Sequence, residues 1–166
     1  MQKNKEKHRL SQTKFSFGAT SAIITILGLI TGLGALAHPK VSIIAGILAI
    51  AIADNISDSL GIHMYQESEC IDRKEVWIST ITNFLTRFLV SLTFIILIIT
   101  LPMKLAVASS VIWGLMLLAV MSYTIAKNTD RHPFRAIFEH ISIAILVIIV
   151  SHFIGKFVIE KLKISL

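Results

Sequence analysis

From Phe15 to Ile159 the chain is written in five apolar blocks separated by short polar or proline-bearing breaks. Each block has the length that carries a helix across a bilayer, for which about 20 mostly apolar residues suffice. Lipid offers no partner to a backbone N–H or C=O, so such blocks cross it as helices that satisfy their own hydrogen bonds. The pattern predicts an all-α polytopic membrane protein with five transmembrane helices. Composition agrees, with 54% of residues hydrophobic and 16% charged, against about 45–50% and 25% in soluble domains. An ordinary soluble domain is excluded.

The spans fall near 15–37, 41–65, 77–101, 105–126 and 136–159, forming one transmembrane domain over 15–166. Residues 1–14 read as a frayed cytoplasmic tail carrying Lys3, Lys5, Lys7, Arg9 and Lys14. His38-Pro39-Lys40 and Pro102-Met103-Lys104 read as outer turns, and 66–75 as a short, mainly acidic inner loop. Ten Lys and Arg residues lie in the tail and the two inner loops, against five on the opposite side. The positive-inside rule then puts the N-terminus in and the C-terminus out. The net charge of +6 is therefore spent on topology, and no nucleic-acid partner is expected. The first apolar block is too long for a cleavable signal. The single cysteine, Cys70, excludes an internal disulfide and a cysteine-based zinc cluster.

The second block carries Asp54, Asn55, Asp58 and His63 on what should still be one helix. A carboxylate near mid-bilayer costs roughly 2.5–3.5 kcal/mol on insertion scales, so intramembrane charges pair or serve a function. Counting 1.5 Å per residue from the inner ends puts Asp54 about 16 Å deep and Arg87 of span 3 about 15 Å deep. An Asp54–Arg87 structural ion pair follows. Asp58, one turn away from Asp54 on the same face, lies about 10 Å deep. Asn83, Glu139, His140 and Ser21 fall in the same inner half, so four helices place polar groups in one layer. One arginine cannot neutralise Asp54, Asp58 and Glu139 together; a cation or protons must supply the rest. Oxygen and imidazole ligands suit a divalent metal, which makes Asp58, Asp54, Glu139, His140, Asn83, His63 and Glu67 the candidate metal residues.

Plainer roles stand beside these. His63 can be an ordinary half-exposed histidine, Met64 a packing residue and His140 a headgroup contact. His152 can be a helix–helix hydrogen-bonding residue or the last step of a proton path. The acidic residues of 66–75 can be a solvated loop, or can concentrate cations at a pore mouth. Gly28 and Gly32 form a GxxxG pair that admits a close neighbouring helix.

Gly18, Ala19, Ile23, Leu27, Gly28, Leu29 and Gly32 match, without gaps, the first-span pattern of the vacuolar iron transporter family, which this chain resembles over nearly its whole length. Ser57, Gly61 and Ser68 fit the family's motif at the end of span 2, and Ser151-His152-Phe153-Ile154-Gly155 looks like its closing motif. The resemblance implies a homodimeric carrier that exchanges Fe²⁺ or Mn²⁺ for protons and moves the metal out of the cytoplasm. The chain is a divergent member on this reading. The family's span 1 aspartate falls on Ser21, its span 2 methionine on Asp58 and the following glutamate on Ile62. The cytoplasmic metal-binding extension is reduced to 66–75.

These readings converge on a multi-pass carrier for a divalent cation of the Fe²⁺/Mn²⁺ class in a prokaryotic plasma membrane, with proton-coupled export and no resident cofactor. Aspartate in place of methionine favours harder ions such as Mn²⁺ or Mg²⁺. The alternative is a non-transporting scaffold or accessory subunit in which the polar layer specifies helix packing. No enzyme is expected: His63 and Glu67 lack the second histidine of an HExxH site.

Overall fold

A computed structural model describes residues 2–36, 39–129 and 132–162, with side chains described for 18–36, 39–127, 129 and 132–161. His38, Arg131 and Lys163 lie outside the described residues, as do the side chains of the basic tail. The protein is all-α and polytopic in character, built of α1 (Gln2–Leu33), α2 (Pro39–Ser68), α3 (Arg73–Thr100), α4 (Met103–Asn128) and α5 (Pro133–Leu162). Helices α2 to α5 are each long and apolar enough to cross a membrane, whereas the apolar part of α1, Gly18–Leu33, is shorter. The expected frayed tail is instead helical backbone continuous with α1.

Helix α1 is the hub. It packs against α3, α4 and α5, and more lightly against α2, while α2 pairs with α3 and α4 with α5. Its Ile23, Ile26, Leu27 and Ile30 are wholly buried in the core, beside Ile43 and Ile47 of α2 and Phe94 and Ile98 of α3. The outer surface is apolar as well, with Leu89, Ile112, Phe138, Leu146 and Phe153 exposed. A surface of that kind suits hydrocarbon and not water. Lipid gives helices no hydrophobic reason to associate, so close packing of small residues must hold them together. The Gly28/Gly32 pair meets Ser151 and Gly155 of α5, which identifies the neighbour that the motif admits.

The connections are tighter than the sequence suggests. Helix α2 continues to Ser68 and α3 begins at Arg73, so most of the expected acidic loop is helical. The Ile71 N–H reaches the Gln66 carbonyl at 3.2 Å and the Cys70 N–H that of Glu67 at 3.0 Å. That pairing is a Schellman cap, with Cys70 in the left-handed region at φ 54°. Asp72 then caps α3 by accepting from the Lys74 N–H at 3.1 Å. At the other end, Lys40 Nζ donates to the Ile99 and Leu101 carbonyls at 2.9 and 3.3 Å. A cation there offsets the negative helix terminus and ties α2 to α3.

Helices α2 and α5 make no substantial contact with each other. Between them opens a cleft of about 510 Å³ whose floor is α1 from Thr25 to Leu36, with Ile50 on one wall and Ser151, Ile154 and Val158 on the other.

Candidate functional site

At its midpoint α2 departs from α-helical geometry. Ile50–Asp54 forms a π turn, and the Asn55 N–H accordingly reaches the Ile50 carbonyl. Such turns gather at functional sites, because the extra residue leaves backbone groups to be satisfied by side chains. Here Asn55 Nδ2 donates to the Ala51 carbonyl at 2.8 Å. Its Oδ1 accepts from Arg87 Nε at 2.7 Å. One buried amide thus closes the distorted turn and aims the arginine.

Arg87 is wholly buried, yet it faces two carboxylates. Its Nη2 pairs with Asp54 Oδ2 and its Nη1 with Asp58 Oδ2. The first contact is also a hydrogen bond; the second is an ion pair, and Nη1 makes no aligned hydrogen bond. Ser21 of α1 donates its hydroxyl to Asp58 Oδ2 at 3.3 Å. The Asp54 and Asp58 side chains keep 40% and 36% of their surface open, against none for Arg87. Two carboxylates and one guanidinium leave the cluster a single negative charge.

The cluster shares no lining residue with the cleft but neighbours it along α1 and α2. Ile50 and Asp54 are one turn apart on α2, and Ser21 and Thr25 one turn apart on α1, so each pair shares a face.

Around the arginine, α2 and α3 form an antiparallel polar ladder. Gln66 Nε2 donates to Ser79 Oγ at 2.9 Å, and Asn83 Nδ2 to Ser59 Oγ at 3.1 Å. His63 Nδ1 stands 2.9 Å from Thr80 Oγ1, whose proton is committed to the Val76 carbonyl; the imidazole is therefore the donor. The Asn83 Oδ1 is buried without a donor and lies where a Cβ on Gly18 would stand.

The other candidate residues lie elsewhere. His63 Nε2 is 3.3 Å from Glu67 at the inner end of α2, with Trp77 edge-on to the ring. Glu139 accepts from Arg135 Nε at 3.1 Å in an exposed pair on α5. His140 Nδ1 is 2.7 Å from Ser122 of α4, whose hydroxyl donates to the Leu118 carbonyl, so this ring is a donor too. The expected single layer is thus two separate groups, Ser21, Asp54, Asp58 and Asn83 about Arg87 and Glu139 near His140, with the His63–Glu67 pair apart from both. Equal depth fixes only one of two coordinates on a helix; direction around the axis fixes the other, and α5 turns its pair away from α2. Glu139 has its own cation, so Arg87 faces two carboxylates and not three. Among the described residues no three His, Cys, Asp or Glu side chains gather closely enough to hold a metal ion. His152 is exposed on α5 with its ring edge-on to Phe153, and the expected interhelical hydrogen bond is absent among the described residues.

Asn55 stands out in the second block without a role assigned to it, and Ser59 does not stand out at all. Their signal is a polar repeat of four on each helix, Asn55-Ser59 against Ser79-Asn83-Arg87, which antiparallel helices bring into register. Compared with known families, characterised proteins and solved structures, the chain finds no match.

Proposed function

We propose that the protein is an integral membrane carrier for a divalent metal cation of the Fe²⁺/Mn²⁺ class, with Asp54 and Asp58 as the residues that meet the cargo. One observation carries the reading: within helices of membrane-spanning length, two part-open carboxylates share one buried arginine, so the formal charges leave one negative charge uncompensated. Charge in that position is costly and is characteristically found on ion pathways. Both carboxylates use Oδ2 on the arginine, and among the described residues neither Oδ1 has a partner. Two such oxygens one turn apart suit hard cations. The proposal follows the likeness of span 1 to vacuolar iron transporters in its direction, proton-coupled export, and in its homodimeric working unit. It includes five spans, the N-terminus inside and a prokaryotic plasma membrane.

The test is flux into liposomes holding a metal-sensitive dye. The wild-type protein should carry Fe²⁺ or Mn²⁺, and Asp58→Asn should cut the rate at least about tenfold, the loss of one charged ligand contact. Well-folded wild type that moves none of Fe²⁺, Mn²⁺ and Mg²⁺ would sink the carrier reading and leave the scaffold role, in which the Arg87 cluster only orders α2 against α3.

A further inference from the structure

We propose that Arg87 is a tethered counter-ion, competing with the cargo cation for Asp54 and Asp58 and so setting how tightly the site holds it. The inference rests on the carrier reading above. Its first support is the opposed exposure of the three groups. Arg87 approaches from the α3 side and is wholly buried, whereas both carboxylates stay part-open on the other. A cation reaching the open parts of the carboxylates therefore meets free oxygens whose charge is already partly claimed.

The second support is the uneven grip on the guanidinium. Nε is held by Asn55 at 2.7 Å, while Nη1 touches Asp58 without an aligned hydrogen bond. The Nε anchor keeps the arginine in place and Nη2 bonds Asp54, while Nη1 is the group that can yield its carboxylate, Asp58, first. A planar guanidinium that is always charged suits such a role. Lysine or histidine could lose its proton instead.

The consequence is electrostatic. With Arg87 in place the cluster presents one negative charge to cargo, not two, and opposition between like charges is strong at low dielectric. The resident cation acts as a competitor at fixed effective concentration. It weakens binding, speeds release, and spares the empty site two unpaired carboxylates inside the membrane.

The experiment measures Mn²⁺ binding to the purified full-length protein by loss of the free-ion electron paramagnetic resonance signal, alongside liposome flux. Arg87→Gln should bind Mn²⁺ about tenfold tighter or more and release it more slowly, whereas Arg87→Lys, a cation without the fork that Asn55 holds, should fall between Arg87→Gln and wild type. Millimolar guanidinium should weaken binding to Arg87→Gln and leave the wild type unchanged, an effect that a purely structural role would not produce. A folded Arg87→Gln protein that binds Mn²⁺ no tighter overturns the proposal. Should that variant fail to fold, the ¹⁵N spectrum of the unaltered protein decides: Mg²⁺ that competes for the Mn²⁺ site must shift the Arg87 Nε resonance, and an unmoved signal overturns the proposal. If wild type carries Mn²⁺ but Arg87→Gln gains no affinity, only the counter-ion role falls. If neither protein binds or carries Fe²⁺, Mn²⁺ or Mg²⁺, the carrier reading falls with it.

Discussion

Gly155 of α5 lies so close to Gly32 of α1 that a Cβ on Gly155 would overlap the Gly32 carbonyl oxygen. The obstacle is backbone, which cannot swing aside as a side chain does. Gly155→Val should therefore cost roughly 1–3 kcal/mol through overpacking, read as a lower melting temperature in detergent. Gly61→Ala is the control. Nothing lies within 4 Å of its added methyl, and a mid-helix glycine replaced by alanine should gain about 0.5–1 kcal/mol.

The Arg87 cluster predicts a non-additive result. Asp54→Asn or Asp58→Asn alone leaves one carboxylate to one guanidinium. The double variant leaves a wholly buried arginine with no counter-charge. Breaking a buried pair in that way costs roughly 3–5 kcal/mol. The double variant should lose more stability than the sum of the two single losses, by calorimetry or thermal scanning of detergent-solubilised protein. Additive losses would show that Arg87 finds another partner.

Cys70 occupies a backbone conformation that suits glycine, at φ 54°. Cys70→Gly should stabilise the α2–α3 connection by about 1 kcal/mol, the approximate cost of the left-handed region for a residue with a Cβ. Cys70→Val should destabilise it by a comparable or larger amount, since branching at Cβ worsens the same clash. The two melting temperatures should move in opposite directions.

Lys40 holds the C-terminal end of α3 through two carbonyls. Lys40→Met keeps the length of the stem and removes the charge, and should cost about 0.3–1 kcal/mol. Faster amide hydrogen exchange should appear over the last turn of α3, with the N-terminal end unchanged. Uniform change along the helix would mean that the cap has no local role.

The helices were legible in the sequence because spanning length and hydropathy record them directly. The Asp54–Arg87 pairing was legible too, since equal depth on adjacent antiparallel helices leaves opposite charges few other partners. Direction around each helix was not. Glu139 and His140 have the right depth but belong to α5, which faces α4 and α1 and not α2. A depth estimate treats Arg87 as a point and so pairs it with Asp54 alone, whereas its two Nη groups span one turn of α2 and reach Asp58 as well. Glu139 was counted against Arg87 although Arg135 stands one turn away in sequence. The π turn carries no signature in apolar periodicity, and Asn55 owes its role to that turn.

The π turn also sets the phase of α2. Steps of four along a regular α-helix precess by about 40° each, so a run of four such steps drifts about 160°. Yet Ile43, Ile47, Ala51, Asn55 and Ser59 are all buried. The wide turn at Ile50–Asp54 winds back part of that drift and keeps the run facing inward. Helix α2 is in effect two half-helices joined by a phase-shifter, the N-terminal half indexed by the apolar core and the C-terminal half by Arg87. Rewinding the turn as regular α-helix with every residue kept would rotate one half against the other by roughly 90°. Either the greasy seam or the charged one could then keep its alignment, but not both.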